Sequence, residues 1–91
     1  MMKYKLKEHV TDEMLVECGY IINTIKNKRK GAYKYIETFD VEMYIPLFDS
    51  IYGERIIQYA PYGNDDVPLK EHIQDLIDLN YVEVVEWKQY Y

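Results

Sequence analysis

The stretch TDEMLVECGYIINTIKNKRKG, residues 11–31, decides the fold, because it supports two incompatible readings. In the first, Thr11 is an N-cap whose hydroxyl accepts a hydrogen bond from an orphan amide of the first helical turn. Asp12 and Glu13 follow, where the helix dipole favours negative charge. Val10 and Leu15 have the spacing of a hydrophobic staple. Gly19 takes the left-handed position after the helix, and Tyr20 folds back on Leu15 as in a Schellman ending. This gives a short helix over about Asp12–Cys18, a strand over Tyr20–Ile25 and a basic hairpin loop over Lys26–Gly31. In the second reading, Met14, Leu15, Cys18, Ile21, Ile22 and Ile25 form one helical stripe. Lys26, Lys28, Arg29 and Lys30 then make a basic last turn with Gly31 as its cap. That helix runs from 12 to 30, and Gly19 costs it about 1 kcal/mol. The short helix is the favoured of the two.

Outward from this stretch the pattern is mostly of strands. Lys3 to Lys7 alternates charged and apolar residues, a half-buried strand with Tyr4 and Leu6 on one face. The lysines on its other face suit a sheet edge. Tyr33 to Phe39 is rich in aromatic and β-branched residues. Val41 to Phe48 alternates, with Pro46 placing it at an edge or a bulge. Asp49 to Gly53 reads as a turn, Arg55 to Ala60 as a further strand, and Pro61 to Asp66 as a loop. Pro68 opens a second helix near its first position. Its stripe is Leu69, Ile73, Leu76 and Ile77, and Asn80 suits its left-handed cap. Tyr81 to Trp87 is the last strand. The expected fold is α+β: a small, mostly antiparallel sheet of four to six strands with two helices packed on it, in one domain spanning residues 1–91.

Composition narrows the function classes. One cysteine excludes an internal disulfide framework and gives a cytoplasmic expectation. No apolar run approaches the ~18 residues needed to span a bilayer, and Met1 to Val10 predicts no secretory signal. The net charge of −5 is uneven. Residues 1–35 hold eight basic and four acidic side chains, for +4; residues 36–91 hold three and twelve, for −9. Such blocks bear on encounter and solubility, and both also suit plain solvated faces.

The sequence offers little catalytic chemistry. Gly19, Gly31, Gly53 and Gly63 lie far apart, each with a turn or cap role, so phosphate-binding loops are absent. Cys18, His9 and His72 are the only soft or imidazole ligands. His72 and Asp75 share helical spacing without a second imidazole, so no metal and no cofactor is expected. Cys18 lies on an apolar stripe in either reading and suits core packing better than nucleophilic attack. Asp65-Asp66 and the pair Glu83 and Glu86 suit solvated loop and strand positions, and Asp65-Asp66 also suits a helix N-terminus. The chain is therefore expected not to be an enzyme.

Two binding surfaces are candidates. Eleven residues are Tyr, a side chain that gives large contact area with few rotors. Tyr33, Tyr35, Tyr44 and Tyr59 share one sheet face if the strand registers agree, a candidate protein-binding surface; half-buried sheet positions also favour Tyr without any such role. The ending Trp87-Lys88-Gln89-Tyr90-Tyr91 adds aromatic surface suited to self-association. The alternative is nucleic acid, held by Lys26, Lys28, Arg29, Lys30 and Lys34 with Tyr33 and Tyr35 to stack. The remainder of the chain is strongly acidic, which works against a polyanion.

Tyr4-Lys5-Leu6-Lys7, with Val10-Thr11, Glu13-Met14-Leu15 and Gly19-Tyr20, resembles the start of small uncharacterised proteins of phages and mobile elements in low-GC Gram-positive bacteria. Ile73-Gln74-Asp75-Leu76-Ile77, with Asn80-Tyr81-Val82-Glu83-Val84, is similar to their usual ending. Together these cover roughly a third of the chain, in capping and packing patterns. The resemblance implies a short first helix ending at Gly19 and a small acidic accessory protein that acts by binding. It brings no catalytic residue. The expected activity is binding to another protein, either a host factor that it inhibits or a second copy of itself.

Overall fold

The computed structural model describes residues 2–25, 29–50, 53–60 and 69–86. Along the chain run β1 (Met2–Leu6), α1 (Asp12–Glu17), β2 (Ile21–Ile25), β3 (Arg29–Ile36), a 3₁₀ turn (Glu37–Phe39), β4 (Val41–Pro46), β5 (Gln58–Ala60), α2 (Leu69–His72), α3 (Gln74–Asp78) and β6 (Val82–Glu86). The strands form two antiparallel sheets, one ordered β2-β3-β4-β5 and one pairing β1 with β6. The fold is a small α+β one.

The deciding stretch folds as a short helix followed by a strand. The Thr11 hydroxyl accepts from the Met14 amide at 3.3 Å, and Val10 and Leu15 are both buried in the core. Gly19, at φ 92, turns the chain out of the helix. The Gly19 amide then donates to the Val16 carbonyl and the Tyr20 amide to the Leu15 carbonyl, each at 3.0 Å, the two bonds of a Schellman ending. A second helix ends identically. Asn80 has φ 61, its amide donates to Ile77 at 3.0 Å, and the Tyr81 amide donates to Leu76 at 2.9 Å. LVECGY and LIDLNY are thus one device used twice: a buried Leu, a left-handed residue, then a Tyr that leads into a strand.

The second helix departs from the single element expected from its stripe. It breaks at Ile73, whose φ of −117 and ψ of 22 are not helical. His72 and Ile73, at the break, are both buried. Pro68 and the loop Pro61–Asp66, the turn residues Ile51 and Tyr52, and the ending Trp87–Tyr91 lie outside the described residues.

The two sheets meet along residues 53–60. The Leu6 amide donates to the Arg55 carbonyl at 3.0 Å and the Ile57 amide to the Tyr4 carbonyl at 2.9 Å, with a bridge between Lys5 and Ile56. Three residues later the same segment is β5, paired with β4. One stretch therefore borders both sheets, and Ile56 and Ile57 are buried at the bend. This also corrects the expected edge position of β1. It has neighbours on both sides: β6 on one and residues 55–57 on the other.

Arg55 holds this corner. Its φ is 64, its amide donates to the Pro46 carbonyl at 2.7 Å, and its guanidinium donates to the Lys7 and Val10 carbonyls at 2.8 Å each. It thus ties the end of β4 to the loop that leads from β1 into α1. Replacing it by glycine keeps the left-handed backbone free of strain and removes the side chain with its guanidinium. Arg55→Gly should lower stability by about 1.5–3 kcal/mol, since hydrogen bonds from a charged group are the costly ones to lose. A urea melt reads this as a lower midpoint at unchanged slope; an unchanged midpoint would contradict it.

Candidate protein-binding face

Antiparallel register divides the residues of the four-stranded sheet between two faces. One face carries two rows, Ile22-Ala32-Ile45 and Lys34-Met43-Tyr59. This face belongs to the core cluster with Leu15, Ile57, Ile73 and Leu76. The other face carries the row Ile21, Tyr33, Tyr44 and Gln58, then Tyr35 opposite Glu42, and Gly31 opposite Asn23 and Pro46.

Tyr33, Tyr35 and Tyr44 therefore share a face, as expected, and Tyr59 does not. Tyr59 pairs with Met43, one position out of phase with Tyr44, so its side chain turns into the core. It is 7% exposed, and its hydroxyl lies 2.7 Å from the His72 Nδ1. Burial foremost, then the Glu71 carboxylate, pushes its pKa up to about 12. Tyr20, also buried, is raised further, by burial and then by Asp75 and Cys18.

The outer face has a built centre and an open rim. The Tyr33 and Tyr44 rings sit 4.9 Å apart at 31°, and Tyr44 is only 5% exposed. Both rings lean over Gly31. A Cβ there would come within 2.7 Å of Tyr44 and 3.3 Å of Tyr33. Gly31 is thus neither a cap nor a turn residue, as its sequence neighbours suggest, but a clearing in β3 that two aromatics fill. Around this centre Ile21 is 63% and Tyr35 56% exposed. The Tyr35 hydroxyl bonds to the Asp40 carboxylate, which raises its pKa.

Tyr35 also borders a groove of about 510 Å³ between the end of β3 and α2–α3, lined by Lys34, Glu37, Glu71, His72 and Asp75 among others. Its carboxylates outnumber its cations. Lys34 is not available at its rim as a free charge. Its ammonium donates to the Cys18 carbonyl at 2.9 Å and to Asp75 at 3.3 Å, and stands 5.4 Å from the centre of the Tyr20 ring. Lys34 thereby joins α1, β3 and α3.

Of the other basic candidates, Lys30 pairs with Asp12 at 2.6 Å, Arg29 is exposed, and Lys26 and Lys28 lie outside the described residues. The candidate reactive groups are dispersed. Cys18 is half-buried, and its thiol is raised by burial and Asp75 against the opposing effect of Lys34. His9 packs edge-on to Tyr81 at 5.9 Å, and His72 is bonded to Tyr59. Among the described residues, no group of His, Cys, Asp and Glu side chains could hold a metal ion. No described helix is long and apolar enough to cross a membrane.

Comparison with known proteins returns no match: no family model, no curated protein and no solved structure is significantly similar to this chain. The face is therefore read from its own residues. Gly31, Arg55 and the Lys34–Asp75 pair are the positions that sequence reasoning passes over. A glycine inside a β-branched and aromatic run, two residues from Tyr33, is a usable signal for the first.

Two outcomes follow from this geometry. Gly31→Ala should displace the Tyr44 ring and destabilise the fold by roughly 1–3 kcal/mol through overpacking. Near-ultraviolet circular dichroism would register the moved ring, and an unchanged spectrum with unchanged stability would contradict the clearing. Tyr59 has a folded-state pKa of about 12 against an ordinary 10, so folding favours its protonated form. Its contribution is intact below pH 10 and is lost as the pH rises toward 12. Tyr59→Phe should flatten the alkaline fall in stability, and an equally steep fall in that variant would contradict the assignment.

Proposed function

We propose that this chain is a small, non-enzymatic, cytoplasmic accessory protein of phage or mobile-element type that binds and inhibits a host protein. The observation that carries the reading is Tyr35, exposed on a sheet face that also bears Tyr33 and Ile21, with carboxylates near it. Glu42 lies opposite it in β4, Asp40 bonds its hydroxyl, and Glu37, Glu71 and Asp75 line the groove at its side. A large aromatic with a polar tip supplies contact area, and acidic neighbours supply steering toward a basic surface. A nucleic-acid-binding groove on the partner is the natural target, because a surface on which carboxylates outnumber cations attracts the basic surface that holds a polyanion.

The alternative, nucleic-acid binding by Lys26, Lys28, Arg29, Lys30 and Lys34, draws less support. Lys30 and Lys34 already satisfy Asp12 and Asp75 within the chain. It remains testable by gel retardation of single-stranded oligonucleotides at low salt, with no retardation expected.

The immobilised protein should retain a basic protein from a lysate of a low-GC Gram-positive bacterium at about 0.1 M salt and release it near 1 M, where charges are screened within ~3 Å. Tyr35→Ala should abolish retention while leaving the melting curve unchanged, since the ring is exposed. Identical sets of proteins retained by wild type and Tyr35→Ala would overturn the reading.

A further inference from the structure

The end strands β2 and β6 differ in how they meet water. β6 carries Glu83 and Glu86 among its five residues, charges of the kind that keep a sheet edge from pairing with another chain. β2 is Ile-Ile-Asn-Thr-Ile, and no charged residue lies between Glu17 and Lys26. It has no proline, no glycine and high β-propensity. Ile21, Asn23 and Thr24 are exposed, and β3 is the only strand that β2 pairs with among the described residues. Half of its backbone donors and acceptors thus face away from the sheet.

We propose that two copies of this chain pair through the outer edge of β2, antiparallel about a two-fold axis at Asn23. That register is the one in which all five residues overlap. It sets residue 21 opposite 25, 22 opposite 24, and Asn23 opposite itself, so no charge meets a like charge. The two four-stranded sheets become one of eight strands, and the outer faces bearing Ile21, Tyr33 and Tyr35 become continuous across the axis. A second copy suits this edge because the run is its own complement under two-fold rotation: every uncharged residue of β2 meets an uncharged residue of the other copy along the whole strand. The pairing uses the strand edge and not the tyrosine face, so it stands or falls separately from the host partner proposed above.

Sedimentation equilibrium of the full chain tests this. Wild type should be a dimer at concentrations of about 0.1 mM, a micromolar-range affinity. Asn23→Lys and Asn23→Glu each set a charge against its own copy at the axis. Each should be monomeric, or raise the dissociation constant at least about tenfold, equivalent to roughly 1.4 kcal/mol, with an unchanged circular dichroism spectrum. Mixing the two variants should restore the dimer, because the introduced ammonium of one copy would then face the introduced carboxylate of the other only in this register. A monomeric wild type, or an undiminished dimer in either variant, overturns the edge pairing. Two monomeric variants that stay monomeric when mixed overturn the axis at Asn23. Lysate capture by Tyr35→Ala is unaffected by any of these results, so failure of the dimer is distinguishable from failure of the host-partner reading.

Discussion

The fold hinges on Arg55 and the corner it closes. A chain of 91 residues has too little surface to bury for two separate sheets each to sustain a core. The structure avoids that problem by letting one segment serve both. Residues 55–57 bond to β1 and, three residues on, the chain bonds to β4. The left-handed backbone at Arg55 makes the bend, and its guanidinium fastens the β1–α1 loop across it through two carbonyls. With that corner set, Leu6 of the small sheet, Ile45 of β4, Ile57 at the bend, and Leu15, Ile73 and Leu76 of the helical segments meet in one cluster.

The same corner sets the phase of β5, and the phase of β5 decides what the tyrosines do. A slip of one residue would send Tyr59 outward and Gln58 inward. In the register observed, Tyr59 enters the core and finds His72, while Tyr44 turns outward and stacks with Tyr33 over Gly31. Five of the described tyrosines thus divide into a buried set with Tyr20 and Tyr59, a packed pair in Tyr33 and Tyr44, and Tyr35 exposed. Tyr35 and Ile21 are the large side chains that the outer face leaves open to solvent. The buried set has a different effect, tying stability to the protonated phenol at alkaline pH.

Much of this is legible in the sequence where local physics decides. Thr11, Gly19 and Asn80 mark helix ends correctly, because capping geometry depends on a handful of adjacent residues. The strand runs and the α+β class follow from alternation. Alternation is silent on register, and so by itself it groups Tyr59 with Tyr33, Tyr35 and Tyr44 although Tyr59 lies on the opposite face. Long-range polar ties are illegible for the same reason. Lys30 and Lys34 look like free cations in a basic run, and only the packing of α1 and α3 against β3 brings Asp12 and Asp75 to them. Arg55 stands in an ordinary run, its partners 45 and 48 residues away. The break at Ile73 is hidden inside an intact helical stripe, because periodicity records which face is apolar and not where the backbone departs from the helix.

Residue-resolved hydroxyl-radical footprinting of the native protein measures directly how the tyrosines divide between the two faces of one sheet. Tyr35 should be oxidised rapidly, with Tyr20, Tyr44 and Tyr59 protected until the protein unfolds. Comparable labelling of Tyr35 and Tyr59 in the folded protein would contradict the strand register and the binding face built on it.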